Sequence, residues 1–361
     1  MKLSKISLYK YSLPLKKQLL MKGSAQDHRD GLIVEIIDRN GLTGLGDAAP
    51  FPGLHKESLQ DIIDEFKNIY PIFSELDSQS GSDIWQILNS LPECSPSLRF
   101  ALDWAFVELK SAKTKLSPVT ILGSDNISEV FINGLLTGSP AEIVESAKKL
   151  FSKNYQSIKV KVATHAIEEE INLIKELNEL FGGKISLRLD ANQSWKFDEA
   201  VKFGKAVKST NIEYLEEPCS NPELFENFYR ETKIPYAFDE SLLQNTVNQM
   251  KNFDGLKTLI LKPAVLGYLS KTRDWVNWAA NQNKGIVFSS TFESGVGLRA
   301  ICNLAAAYGT NGLAHGLDTF NWLKEDITIP AFSAINNSID LSNQSFQLKR
   351  NKLKKIHEHA F

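Results

Sequence analysis

The chain predicts an α/β protein built on a closed (β/α) barrel, with an α+β unit ahead of it. Two observations carry that expectation. From about Phe131 onward, short β-rich runs recur every ~23 to 28 residues with helical stretches between them. Before that point, alternating runs give way to helical spacing and no strand–helix rhythm is set up.

Taken in order, Leu32 to Ile37 (LIVEII) reads as a strand, and Asp38-Arg39-Asn40-Gly41 supplies the turn chemistry for a hairpin into the next run. Between Glu57 and Glu108 the apolar spacing is helical, as in SLQDIIDEFKNIY and LRFALDWAFVELKSA. An antiparallel sheet followed by helices is an α+β unit. The runs VFINGLL, SIKVKV, ISLRLD, IEYLEE, PYAFDE, TLILKP and GIVFSS then begin near residues 130, 157, 185, 212, 235, 258 and 285. Helical stretches such as HAIEEEINLIKELNEL and LSKTRDWVNWAANQ separate them, the pattern of βα units and a parallel sheet. These runs, with a candidate eighth strand near Gly312 to Gly316, suit a closed barrel better than an open doubly wound sheet. No G-x-G-x-x-G follows the first strand, which weakens the dinucleotide-binding version of the open sheet. The tail after Asn321 leaves the rhythm, and its basic run KRNKLKKIHEH reads as solvated surface.

Composition removes several classes of function. A formal net charge of -2 gives no electrostatic reason to expect nucleic acid or an acidic membrane surface. Cys94, Cys219 and Cys302 are far apart and odd in number, which fits a reducing cytosol rather than a disulfide framework. Charges break every apolar run of the N-terminal segment, unlike a secretory signal, and no stretch is long enough to span a bilayer. The expectation is a soluble, cytoplasmic protein acting on a small molecule, with no nucleic-acid or membrane partner; a homo-oligomer stays open. Cys219 and the aromatic residues read as packing, and His165 as a surface or capping residue. His315 falls near the expected barrel mouth.

Side chains at the carboxyl ends of barrel strands surround one site. The second run ends with Lys159 and Lys161, one residue apart and so on the same side of the strand. The third ends with Arg188 and Asp190, then Asn192. Glu216 and Glu217 end the fourth, Asp239 and Glu240 the fifth, and Lys262 the sixth. Ser289, Ser290 and Thr291 end the seventh. Singly, each has a bland reading: an Asp before a turn is usually a helix cap, and a strand lysine is usually solvated. Together they follow apolar residues such as Leu187, Leu189, Leu215 and Ile260, where an unpartnered charge would be costly.

Asp190, Glu216 and Asp239 offer hard oxygen ligands without His or Cys, which favours Mg²⁺, or Mn²⁺, over Zn²⁺. A substrate carboxylate on such a cation can accept a second negative charge when its α-proton leaves. A lysine can take that proton if a nearby cation and desolvation push its pKa down, and Lys161, beside Lys159, has that environment available. Lys262, one strand past the last carboxylate, would face it as a second acid/base or as a held cation.

These residues resemble the enolase superfamily, in the branch that contains muconate-lactonising enzyme. The matching motifs are Lys159-Val160-Lys161, Asp190-Ala191-Asn192, Glu216-Glu217-Pro218, Asp239-Glu240-Ser241 and Lys262-Pro263. Gly44-Leu45-Gly46-Asp47-Ala48-Ala49-Pro50 looks like the family's first-domain G-x-G-E-A stretch, with Asp47 where glutamate is commoner. The resemblance implies a (β/α)7β TIM-like barrel, residues 121–320, with an α+β capping domain formed by residues 1–120 and the returning tail, 321–361. It also implies a mobile loop, Met21 to Asp30, that closes over the ligand. Within the branch, LEEPC at Leu215–Cys219, SSTFESGVGL at Ser289–Leu298 and GLDT at Gly316–Thr319 resemble a subgroup of dehydratases. That resemblance implies a metal-dependent syn dehydration of a ring carboxylate bearing a succinyl tail. Lys161 would serve as base and then acid, with Lys262 as the opposing cation. Backbone N–H groups at Ser289, Ser290 and Gly316 would hold the tail, supported by Arg188 and Asn192. The rival on the same scaffold is an N-acylamino acid racemase or dipeptide epimerase. The D-x-D stretch typical of the epimerases is missing from HGLDTFNW.

Overall fold

A computed structural model describes residues 2–21, 24–74, 83–124, 127–342 and 345–361. The chain opens with two long strands, β1 (Leu3–Met21) and β2 (Ser24–Asp38), and a shorter one, β3 (Thr43–Ala48). The expected turn between the last two is built by Asp38, whose carboxylate accepts the N–H of Asn40 at 2.8 Å and of Leu42 at 2.9 Å. Helix α1 (Leu59–Ile69) starts at a reciprocal cap between Ser58 and Asp61, and α2 (Pro96–Thr114) lies across the sheet. Leu32, Val34 and Ile36, alternating along β2, share its buried core with Phe100, Leu102 and Trp104 of α2. The helix sits very close to β3. A Cβ on Gly44 or Gly46 would lie 2.0 or 1.8 Å from the carbonyl oxygens of Ala105 and Ala101, so this G-x-G is a packing requirement.

The barrel follows, with strands β4 (Gly134–Leu136), β5 (Ser157–Lys161), β6 (Ser186–Asp190), β7 (Ile212–Glu216), β8 (Tyr236–Phe238), β9 (Leu256–Leu261) and β10 (Gly285–Phe288). They pair in parallel in chain order. Between or after them run α3 (Pro140–Ser152), α4 (Ile167–Phe181), α5 (Phe197–Val207), α6 (Phe225–Thr232), α7 (Pro263–Leu266), α8 (Leu269–Asn281) and α9 (Gly295–Tyr308). The sequence explains their starts locally: Ser139-Pro140-Ala141-Glu142 forms a reciprocal cap with proline in the first turn of α3.

Three details differ from the sequence reading. The first run, VFINGLL, is two strands: Glu129–Phe131 pairs antiparallel with Ser338–Asp340, and only Gly134–Leu136 enters the barrel. The eighth strand is reduced to two bridges, His315 to Ile132 and Gly316 to Ser289, which join β10 back to the start of the barrel. Met21 to Asp30 is not an irregular loop. Leu19↔Gln26, Leu20↔Ala25 and Met21↔Ser24 pair, so the segment belongs to a hairpin arm whose tip, Lys22 and Gly23, lies outside the described residues.

The tail returns to the first sheet. Its last strand, β11 (Lys354–Ala360), pairs antiparallel with β1, giving the order β11–β1–β2–β3. The basic run thus leads into an edge strand whose Lys354, Lys355 and Glu358 are exposed, as the reading of a solvated surface expects, while His357 and His359 are half-buried. Among the described residues no helix is long and apolar enough to cross a membrane.

Candidate active site

Strand alternation builds the site. Tyr214, Ala237, Ile260 and Val287 come from four adjacent strands and pack together as a cluster inside the barrel. Two residues further along each strand, on the same side, stand Glu216, Asp239, Lys262 and Ser289. Register extends the set: Lys161 lies beside Asp190, and Asp190 beside Glu216. The predicted carboxylates and lysines therefore meet at the carboxyl end of the barrel.

Their pairing is uneven. The Lys159 ammonium donates to both Glu216 oxygens at 2.8 Å and lies 2.8 Å from Asp190 Oδ2. Lys262 donates to Asp239 Oδ2. No hydrogen bond or ion pair holds the Lys161 amine among the described residues, although its charge acts on Asp190. Burial disfavours the cations of Lys159 and Lys262, but the facing carboxylates outweigh it and hold both above the ordinary lysine range.

The carboxylates diverge. Burial alone would raise the Asp190 carboxyl, yet Lys159, Lys161 and Lys262 hold it below its usual range. Glu216 is pushed well up by burial and by the charge of Asp190. Among the described residues no three His, Cys, Asp or Glu side chains stand close enough to share one ion as they are; Lys159 lies against Asp190 and Glu216, and Lys262 against Asp239. The donor chemistry still fits a hard cation. Buried carboxylates gather here, and Glu240 Oε2 is buried with no hydrogen-bond partner.

Supporting groups hold this ring in place: Asn192, named from the sequence, and Glu217 and Glu170, to which the sequence reading assigned no such role. Glu217, in a left-handed backbone conformation at φ +48°, turns its carboxylate back under the next strand. It accepts the Asp239 N–H at 2.7 Å, the Ser241 N–H at 2.9 Å and the Ser241 hydroxyl at 2.7 Å, and burial raises its pKa to about 7. Glu170, on α4, accepts the N–H groups of Ala163, Thr164 and His165 at 2.8, 2.7 and 3.0 Å, fixing the turn just past Lys161. Asn192 donates from its backbone to Asp190 at 3.1 Å and from its amide to Glu240 at 3.0 Å. The only sequence signal for Glu217 was its place in E-E-P, and Glu170 had none.

Other expected contacts fall elsewhere. Arg188, fully buried, sits one layer below the mouth, where its guanidinium donates to Glu213 at 2.8 Å, to Asn133 at 3.2 Å and to the Ala314 carbonyl at 2.5 Å. It braces the barrel interior instead of facing a ligand. The backbone N–H groups of Ser289, Ser290 and Gly316 are already committed to Leu261, Gly316 and Phe288 carbonyls at 2.9, 3.0 and 2.8 Å. They close the barrel and are not free to hold a succinyl tail. The Ser290 hydroxyl contacts Thr319 at 2.6 Å, which leaves the Ser289 hydroxyl as the accessible donor of the group. A Cβ on Gly316 would come within 2.7 Å of that hydroxyl, which would have to rotate away. His315 is buried in the barrel wall and accepts the Phe288 N–H at Nδ1, 3.0 Å away.

A closed parallel barrel with acid and lysine side chains converging at its carboxyl end defines a class of barrel enzymes. The chain belongs to the enolase superfamily: residues 142–345 match the family model Enolase C-terminal domain-like, and residues 3–109 match MenC, N-terminal domain. It is 28% identical over 333 residues to an o-succinylbenzoate synthase of Vibrio cholerae, covering 90% of this chain and 92% of that one. It is 30% identical over 343 residues to the chloroplastic protein PHYLLO of Arabidopsis thaliana. That match covers 84% of this chain and 20% of the plant protein, so the chain spans a fifth of that relative. A dipeptide epimerase from Cytophaga hutchinsonii, solved with Mg and D-Ala-L-Val, superposes with a TM-score of 0.85 at 19% identity, covering 99% of both chains. That likeness is one of fold.

Proposed function

We propose that this chain is an o-succinylbenzoate synthase, which dehydrates 2-succinyl-6-hydroxy-2,4-cyclohexadiene-1-carboxylate to 2-succinylbenzoate in menaquinone biosynthesis. Support comes from the bacterial relatives of that name, matched over nearly their full length, and from the MenC-type first domain. The observation that carries the reading is the asymmetry of the lysines: Lys161 is unheld, whereas Lys262 is tied to Asp239. A dehydration needs one acid/base that works twice and one fixed cation. A racemase needs two lysines that both exchange protons.

Asp190, Glu216 and Asp239 would hold a divalent cation, Mg²⁺ or Mn²⁺, which supplies positive charge against the second negative charge that a carboxylate acquires on losing its α-proton. Lys161, as the neutral amine, takes the proton from the ring carbon that bears the carboxylate. Carrying that proton, it delivers it to the departing ring hydroxyl on the same face, so that water leaves and the ring becomes aromatic. Lys262 stays protonated opposite, its cation set against the charge that develops across the ring. The Ser289 hydroxyl and the Asn192 amide flank the bound molecule, and the β1–β2 hairpin arm closes over it to exclude water.

Mixing the purified protein with the cyclohexadiene substrate, with and without Mg²⁺, tests the reading. A metal-dependent ultraviolet change from ring aromatisation is expected; its absence would refute the assignment.

A further inference from the structure

Lys262 ends β9 and opens α7, so its direction is set by the short turn that follows it. Its carbonyl accepts the N–H groups of Val265 at 2.9 Å and Leu266 at 3.0 Å, and Pro263 accepts that of Gly267 at 2.8 Å. The turn does not stand on barrel contacts alone. The segment after β3 reaches over to it from the first sheet, with Phe51 accepting the N–H groups of Leu54 and His55 at 3.0 Å each. Leu54 then faces Asp239, Glu240 and Lys262 across a small cavity of about 30 Å³ that Val265 and Leu266 also line.

His55 makes the connection. The Phe51 N–H donates to its Nδ1 at 2.9 Å, and its Nε2 lies 3.1 Å from the Ala264 carbonyl, two residues past Lys262. A backbone N–H can only donate and a carbonyl can only accept. The ring that satisfies both is therefore neutral, with its proton on Nε2. Burial, which favours the neutral form, agrees with that assignment. Phe51 is itself anchored, fully buried with Arg29 stacked 4.8 Å over its ring and Phe292 at 5.9 Å.

We propose that His55 is a positioning residue for Lys262, its imidazole spanning from the anchored Phe51 to the Ala264 carbonyl and fixing the turn from which the lysine projects. The first domain thus sets the geometry of a barrel side chain directly. The inference rests on the reading of Lys262 given above. Its consequence is a catalytic effect without a binding effect, because a lysine aimed wrongly by a fraction of an ångström still lets substrate bind.

Two substitutions in the full-length protein separate the arms of the contact. His55→Gln keeps a donor at the Nε2 position, whereas His55→Asn keeps only an acceptor at the Nδ1 position. With the cyclohexadiene substrate, His55→Asn should lower kcat about tenfold or more with KM within about twofold, and His55→Gln should keep at least about a third of wild-type kcat. In amide hydrogen exchange, Val265, Leu266 and Gly267 should exchange faster in His55→Asn than in His55→Gln. A His55→Asn kcat within twofold of wild type, or an equal loss in both variants, would overturn the proposal. If the wild type itself fails to aromatise the substrate, the functional reading falls. The exchange experiment still decides the positioning contact, with equal protection in both variants counting against it.

Discussion

Two layers of the same barrel, one strand pleat apart, behave in opposite ways. In the lower layer Arg188 and Glu213 satisfy one another, with Asn133 and the Ala314 carbonyl taking further donors. In the upper layer Asp190, Glu216, Asp239 and Glu240 face Lys159 and Lys262, with one buried carboxylate oxygen left unpaired and Lys161 unheld. The lower layer is organised for stability. The upper one keeps an unpaired buried carboxylate oxygen and an unheld lysine, the kind of imbalance that clusters at functional sites.

Substitutions in the two layers should therefore fail differently. The largest effect is expected in the upper layer: Lys161→Ala should lower kcat by about 10³ to 10⁴, as for loss of a general acid/base, while the melting temperature hardly moves. A large loss of stability would show that Lys161 has a structural partner after all. In the lower layer, Arg188→Met strands the Glu213 carboxylate and should cost about 3 to 5 kcal/mol in urea unfolding. A cost below about 1 kcal/mol would mean that water reaches Glu213.

His315, in the wall between the layers, gives a pH signature. Burial holds its imidazole neutral, with a pKa lowered to about 3 from an ordinary 6.5. The unfolded chain binds this proton first, so its stabilisation is present above pH 6.5 and is lost as pH falls toward 3. Between pH 7 and 5 the wild type should lose about 2 kcal/mol more unfolding free energy than His315→Asn. Parallel pH profiles would contradict this. The smallest effect is reserved for the support beneath the upper layer. Glu217→Gln keeps the charge ring but weakens its hold on Asp239, so Mg²⁺ affinity by calorimetry should fall about tenfold. Unchanged affinity would remove Glu217 from the site's support.

Much of this was legible in the sequence because strand alternation is local. Lys159-Val160-Lys161 or Arg188-Leu189-Asp190 states which side chains share a face, and the βα spacing brings successive strand ends to one mouth. What the sequence could not carry were contacts between distant segments. The barrel closes through only two bridged residues, so its eighth strand looked longer than it is, and nothing local reveals that the N–H groups of Ser289, Ser290 and Gly316 are consumed in that closure. Arg188 lies in the predicted place along its strand, but the depth at which an arginine finds a carboxylate depends on Glu213, 25 residues away. The hairpin arm was read as a loop because its polar residues mask the pairing that its length imposes.

In the proposed reaction Lys161 acts alone as acid and base. Incubation in D₂O with Mg²⁺, offering the cyclohexadiene substrate and an N-succinylamino acid separately, tests it most directly. An aromatic product free of deuterium, formed by the wild type and not by Lys161→Ala, is the expected result. Recovery of unchanged cyclohexadiene substrate, with deuterium appearing in both enantiomers of the amino acid, would contradict it and show two lysines at work.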